Sequence, residues 1–401
     1  MAISLLGTAL DVCSQAEQQS VILMKSKVLD AHKLTPVPYV NVYLQRGHRG
    51  TSCNEHGEFS LQIDKAQGSD TLVFSAIGYD TYKKSANQLL DFPDAAILLE
   101  EATIDLHEVV VTAQAPVDII RKAMLSRAVN YDTMPHKLRG VYRIADRENG
   151  VYTRLAEAAV DIYDADYMKK DSRVVDYLAV RHSKDYRTYR WKMDNLNSRT
   201  VEALLKPDLI KRPTRATHAN GFEKGFFYAF EGYSVLDGKE LLIISATRNP
   251  AYPWANYNAT FYVRAEDLAI MRVDRDYSIP RPNWAKNEGM KTRITRDQLI
   301  LQYKDFNGKL YLNHFTWNLE GDVVNEANGD KVIKFTRHEA LSIDAISSDR
   351  PGKIRRAWSD DIYKMQEPYN ALLWDAFPSP ASGLFTEATQ ELNEKGKLWK
   401  K

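Results

Sequence analysis

The chain has 401 residues, with 54 Lys plus Arg against 53 Asp plus Glu, 44% hydrophobic and 27% charged residues. This balance gives no global field that would gather nucleic acid or an acidic surface, while the length leaves room for two or three domains, each with its own core. Two cysteines, Cys13 and Cys53, exclude a disulfide scaffold and a cysteine-based zinc site, and no run reaches the about 18 apolar residues of a transmembrane helix.

Residues 2–12 form a short apolar run and Ser14-Gln15-Ala16 follows with small-x-small spacing, so residues 1–19 are expected to be a signal peptide or leader. No Lys or Arg precedes the run and Asp11 interrupts it, which leaves a cytoplasmic tail as the alternative. From residue 20 the pattern is one of short strands. Phe59, Leu61 and Ile63 alternate with Glu58, Ser60 and Gln62, the period-2 signal of a half-buried strand. Gly57 closes the polar corner before it, and residues 71–75 form the next strand. Six or seven such strands up to residue 101, with turn signals between them, predict a β-sandwich.

Residues 27–30 (KVLD), 38–43 (PYVNVY), Gly47, Gly50 with Thr51, residues 54–59 (NEHGEF) and residues 76–79 (AIGY) occur as an ordered set. In this set, residues 20–101 resemble the carboxypeptidase-regulatory-like, transthyretin-like domain; Ser26 stands where that family usually has glycine. The resemblance implies a non-catalytic β-sandwich and no peptidase. Residues 104–113 (IDLHEVVVTA) are similar to the segment that follows such a domain in TonB-dependent outer-membrane transporters. The chain beyond it is too short for their barrel. Val109, Val110 and Val111 would then pair with the sheet edge of a partner, or serve as a last strand or link on the protein's own sheet. The setting this resemblance implies is the Gram-negative envelope, either periplasmic or associated with the outer membrane.

Residues 102–132 are read as a linker strand and a helix. Pro116 opens the helix, and Ile119, Ile120, Ala123, Met124 and Val129 form its apolar stripe. Residues 133–345 follow as repeated hairpins. Asn149-Gly150, Asp237-Gly238, Glu266-Asp267, Asn307-Gly308 and Asn328-Gly329 each sit between β-prone runs. The expected fold is mainly β: the N-terminal sandwich, then a larger antiparallel meander or half-barrel with covering helices. The pattern is similar to the lipoprotein-carrier-like half-barrels of the envelope, a likeness of fold alone. Candidate covers are the helix after Pro116, residues 201–210, and a C-terminal helical segment over 346–401 with pieces at 359–374 and 384–398.

Chemistry is sparse. No histidine pair has the spacing of a helical metal site, no nucleophile is arranged with a base, and no catalytic, metal or cofactor residue is assigned. Asp161, Asp164 and Asp166 with Tyr163 and Tyr167 read as a solvated strand end, since a calcium loop would need more oxygen ligands and a glycine at its turn. Residues 169–199 carry nine Lys or Arg against four Asp, interleaved with aromatics, and read as a solvated basic face with no nucleic-acid role. Glu157 lies inside an apolar strand and requires a partner, expected to be Arg. Two functions follow. One is a non-catalytic envelope binding or scaffold protein, with Glu157, Phe226, Phe227, Tyr228, Trp254 and Trp317 along a groove for a hydrophobic ligand or partner protein; a filled core is the alternative account of those aromatics. The other is an envelope hydrolase in which Glu157 and a histidine such as His314 converge. Ligand, partner and oligomeric state are not legible.

Overall fold

The computed structural model describes residues 21–46, 49–64, 67–92, 95–103, 115–170, 172–188, 200–211, 222–252, 255–277, 284–287, 289–328, 331–348, 361–365, 374 and 383–396. Seven strands build the N-terminal unit: β1 (Val21–Asp30), β2 (Asn41–Leu44), β3 (Gly50–Ser52), β4 (Glu58–Asp64), β5 (Thr71–Ser75), β6 (Tyr82–Ser85) and β7 (Ile97–Leu99). They form a three-stranded sheet, β4-β1-β7, and a four-stranded sheet, β3-β2-β5-β6. Phe59, Leu61 and Ile63 point inward, as their alternation requires, and pack with Val28, Val42 and Phe74 between the sheets. The N-terminal unit is therefore a β-sandwich.

Eleven strands form the second unit: β8 (His136–Glu148), β9 (Val151–Asp164), β10 (Arg173–His182), β11 (Phe226–Leu236), β12 (Lys239–Arg248), β13 (Asn258–Arg264), β14 (Ile270–Asp276), β15 (Ala285–Asn287), β16 (Met290–Phe306), β17 (Lys309–Asn325) and β18 (Val332–Ser347). The sheet order is β10-β9-β8-β18-β17-β16-β14-β13-β12-β11, with the short β15 beside β16. Asn149-Gly150, Asp237-Gly238 and Asn307-Gly308 all have both residues at positive φ (51° and 84°, 53° and 70°, 54° and 75°). This is the turn whose twist matches the flanking strands. The basic, aromatic stretch read as a solvated face instead contributes β10, which edges the sheet and buries Val175, Tyr177 and Val180.

Alternation gives the sheet two faces. The inner face carries Leu138, Tyr142, Ile144, Ala158, Val160, Phe315 and Leu341, and it packs into one large core. Helix α2 (Pro116–Leu125) covers it with Ile119, Ile120, Ala123 and Met124. The short α4 (Val201–Leu205) adds Val201, Leu204 and Leu205, and Leu209, Ile210, Ile362 and Met365 join them. The piece at 201–210 is helical only as far as Leu205, and Ile362–Lys364 forms a single 3-10 turn. The outer face is not simply wet. Helix α6 (Gly383–Glu394) lays Phe385, Ala388 and Leu392 on Ala145, Tyr152 and Leu155, and Trp374 packs on Ala159 and Ala179. The sandwich docks beside them through Asn313, whose Nδ2 donates to Asn41 Oδ1 (2.6 Å) and Ser52 Oγ (2.8 Å). A further backbone bond runs from Gly78 N–H to the Val235 carbonyl (2.9 Å).

At the β8–β18 seam, Gly140 faces Ile343, and a Cβ there would overlap the Ser342 carbonyl oxygen. Backbone cannot yield as a flexible side chain can, so the added methyl overpacks the seam. Gly140→Ala is expected to lower stability by about 1–3 kcal/mol, read as a shift in the urea midpoint of tryptophan fluorescence. An unchanged midpoint would mean that the two strands separate at no cost.

Candidate functional site

Cross-strand register places one row of outer-face residues across the whole sheet: Ser245, Thr260, Asp274, Ile300, Thr316, Ala340, Arg143, Glu157 and Arg181. Glu157 thus lies between two arginines. Arg143 Nε donates to its Oε1 (2.7 Å) and Arg181 Nε to its Oε2 (2.6 Å), while Arg181 stacks 4.1 Å over the Trp374 ring. Burial alone would push the Glu157 carboxyl up. The charges and hydrogen bonds of Arg143 and Arg181 outweigh it and hold the group below its ordinary value. Such a carboxylate is an anchored anion, not a proton shuttle.

His314 lies on the same face but three strands away, at about 14 Å by strand spacing. It is buried, with Nδ1 3.3 Å from Ser342 Oγ and Nε2 2.7 Å from Thr316 Oγ1. Burial, with His338 and Arg272 nearby, pushes its pKa down to about 3, so the ring stays neutral. The structure does not bring Glu157 and His314 together. Asp161 and Asp164 are not solvated either. Asp161 accepts both arms of Arg139 (2.7 and 2.8 Å), and Asp164 accepts from Arg173 (3.0 Å) and Lys211 (2.8 Å). Arg173 also reaches Asp208 (2.8 Å), which takes the hydroxyls of Tyr167 (2.9 Å) and Tyr303 (2.8 Å). This buried network ties residues 208–211 to β9 and β10. Local sequence signals do not reveal it, because Asp208 and Lys211 lie some forty residues from their partners.

The aromatic candidates separate in the same way. Phe226 is buried on the inner face with its ring 5.0 Å from that of Tyr257, and Tyr228 packs against the same core. Trp317 is half-buried there, its Nε1 donating to Asp297 Oδ1 (2.8 Å). Phe227, next to Phe226 along the strand, points to the outer face and is 60% exposed. Trp254 and Val109, Val110 and Val111 lie outside the described residues.

The open space is on the outer face. A depression of about 480 Å³ has Gln298, Ile300, Asn318, Thr336 and His338 in its floor, with Tyr39 and Glu55 of the sandwich on one side and Arg147 and Tyr152 on the other. A second, of about 400 Å³, shares Gln298 and Ile300 and continues over Ser245, Thr247, Thr260, Asp274 and Asp276. Together they make a trough of mixed polar and apolar surface in which charged groups are paired. Arg296 bonds Glu320 (2.9 Å) and Gln298 (2.8 Å), Gln298 donates to Asp276 (3.3 Å), and His338 bonds Asn318. Among the described residues, no three His, Cys, Asp or Glu side chains come together as a metal site.

Removing the anion between two buried arginines leaves both uncompensated. Glu157→Gln is expected to cost about 3–5 kcal/mol in urea unfolding, with much of the loss restored by adding Arg143→Met and Arg181→Met. Because the folded-state value is lowered, this contribution is present above the ordinary value of 4.5 and is lost as the pH falls below it. A Glu157→Gln protein as stable as the parent, or a triple variant no better than the single one, would contradict the anchoring role.

Comparisons with known proteins bear on the two units unequally. A stretch of 145 residues, 34% of this chain, is 31% identical to chromatin structure-remodeling complex subunit RSC1 of Saccharomyces cerevisiae, and it spans only 14% of that protein. Among solved structures, a DUF1329 family protein from Desulfovibrio piger aligns with a TM-score of 0.25 at 10% identity, covering 58% of this chain and 93% of that one. Lipovitellin aligns at 0.24 and 9% identity, over 57% of this chain and 27% of that one. The MucA/MucB complex of Pseudomonas aeruginosa aligns at 0.17 and 8%, over 59% and 99%. Alignments at this level carry no argument about the large sheet. The N-terminal unit is different: its motifs, its two packed sheets and a family match agree, and residues 24–111 are a CarboxypepD_reg-like domain.

Proposed function

We propose that this chain is a non-catalytic binding or scaffold protein of the cell envelope, and that it holds a partner protein through the outer-face trough. The observation that carries this reading is the contrast between open and closed groups. The trough offers amide, hydroxyl and paired charged side chains over two joined depressions of about 480 and 400 Å³. By contrast, Glu157 and His314, the groups a hydrolase would use, are buried, bonded and apart. A broad, open surface of matched charges and carboxamides suits many hydrogen bonds to a protein partner. Phe226 and Tyr228, which a lipid groove would need, are committed to the core. The envelope location rests on the apolar run at residues 2–12 and the small-x-small site after it. Among the described residues, no helix is long and apolar enough to cross a membrane.

Two measurements test this. A photo-crosslinking residue at Asn318 in the full chain is expected to trap one discrete partner in cells, and one at the exposed Val129 on α3 (Arg127–Asn130) is not. Thr260→Trp, which fills the adjoining depression, is expected to abolish the Asn318 adduct. Equal trapping at both positions overturns the trough as the binding surface. Cell fractionation with N-terminal sequencing is expected to find a shortened chain in the envelope, and an intact chain confined to the cytosol overturns the location.

A further inference from the structure

A separate cavity of about 200 Å³ lies under the sandwich, where β2 meets the turns between β11 and β12 and between β16 and β17. Leu44, Leu236, Met271, Phe306 and Ile346 form the apolar part of its lining, polar groups such as Asn41, Gln45, Arg49 and Asn307 the rest, and Lys304 lines it from β16. Lys304 is half-buried and makes no hydrogen bond or ion pair among the described residues. The nearby acids are occupied or out of reach. Asp305 is held by Arg264 (3.1 Å) and by the Gly308 amide (3.0 Å). Asp237 accepts from Thr81 (3.2 Å). Asp344 on β18 acts on the amine only through space, and burial pushes its own carboxyl up to about 7.

A part-buried ammonium group that bonds no counter-ion is costly, and burial pulls Lys304 down to about 8, with Asp344 opposing. A ligand that brings its own negative charge on an apolar body would relieve this. At about 30 Å³ per water-sized group, the cavity has room for roughly seven such groups. We propose that this cavity is a binding site for a small amphiphilic monocarboxylate, its carboxylate on Lys304 Nζ and its short acyl or aryl body against Leu236, Met271 and Ile346. The site is distinct from the trough and independent of any partner held there.

Isothermal titration calorimetry on the full chain, with hexanoate as probe and hexan-1-ol as its uncharged counterpart, tests the assignment. Hexanoate is expected to bind at least tenfold more tightly than the alcohol. Lys304→Met, which keeps the apolar stem and is checked for an unchanged melting curve, is expected to erase that preference, and Lys304→Arg to keep it. Leu236→Trp, which fills the recess, should remove binding of both probes. The charged amine is the recognising form, so hexanoate affinity should fall as the pH rises through 8. Arg49 at the rim, Tyr43, Asp237 and Asp305 face the same space, so the profile is to be matched against Lys304→Met, in which the drop should vanish. Equal binding of alcohol and carboxylate, unchanged hexanoate binding in Lys304→Met, or no binding of either probe at millimolar concentration overturns the proposal.

Discussion

The large unit depends on the pairing of β8 with β18. One meander runs β8-β9-β10 and another runs from β11 to β18; among the described residues, this is the one strand ladder that joins them, from Phe335 opposite Glu148 to Ser347 opposite Lys137. It closes a loop of nearly two hundred residues, a contact whose chain-entropy cost must be met before any local interaction repays it. The seam is correspondingly well fastened. Gly140 allows close backbone approach. Arg337 on β18 bonds Asp146 on β8 (2.8 Å), and Tyr142 on β8 donates to Glu339 on β18 (2.8 Å). Arg154 on β9 completes the set on Asp146 (2.7 Å). These charges are buried, so their net contribution to stability is small, but a slipped register would strand them unpaired. They make one alignment acceptable more than they make it strong.

The same register distributes the polar groups on the outer face. Once β8 lies beside β18, Arg143 and Glu157 fall in one row with Thr316 and Thr260, and His338 and Asn318 in the next with Gln298 and Asp276. Each is a polar residue on a strand whose alternate positions are apolar. Where the sandwich or α6 covers the row, the polar groups are paired and buried; where nothing covers it, they form the trough. One sequence pattern thus yields a structural ion pair at one end of the row and an open surface farther along. The deciding factor is what packs above it.

Local signals made much of the fold legible. The Asn-Gly and Asp-Gly turns identified hairpins because only residues tolerant of positive φ fit them, and the alternation of Phe59, Leu61 and Ile63 identified an inward face. The β8–β18 closure was not legible, since nothing near either strand marks a partner so distant in the chain. Asp164 looked solvated because its cations, Arg173 and Lys211, come from β10 and from the turn after α4. The aromatic run from Phe226 to Tyr228 carries a lesson of its own. Neighbours on a strand point to opposite faces, so Phe226 and Phe227 cannot line one groove, and the burial of one beside the exposure of the other follows from the pleat. The trough is not legible for the same reason as the closure: its floor is assembled from strands that meet only in the folded sheet.

The sandwich is not an appended bead. Its β2 and β3 region supplies Tyr39 and Glu55 to one wall of the trough and Leu44 to the cavity below. It is held by Asn41, Ser52 and the Tyr39 carbonyl against Asn313 and Gln302, a contact made of amides and hydroxyls. Hydrogen bonds of this kind add little net energy each, but a buried carboxamide left unmatched is costly, so the interface tolerates only one placement. Turning β2 by one residue would aim Val40 or Val42 where Asn41 now sits, removing one of the two acceptors of Asn313. An inert domain thereby becomes a structural wall, and both candidate binding sites take their shape from where it is pinned.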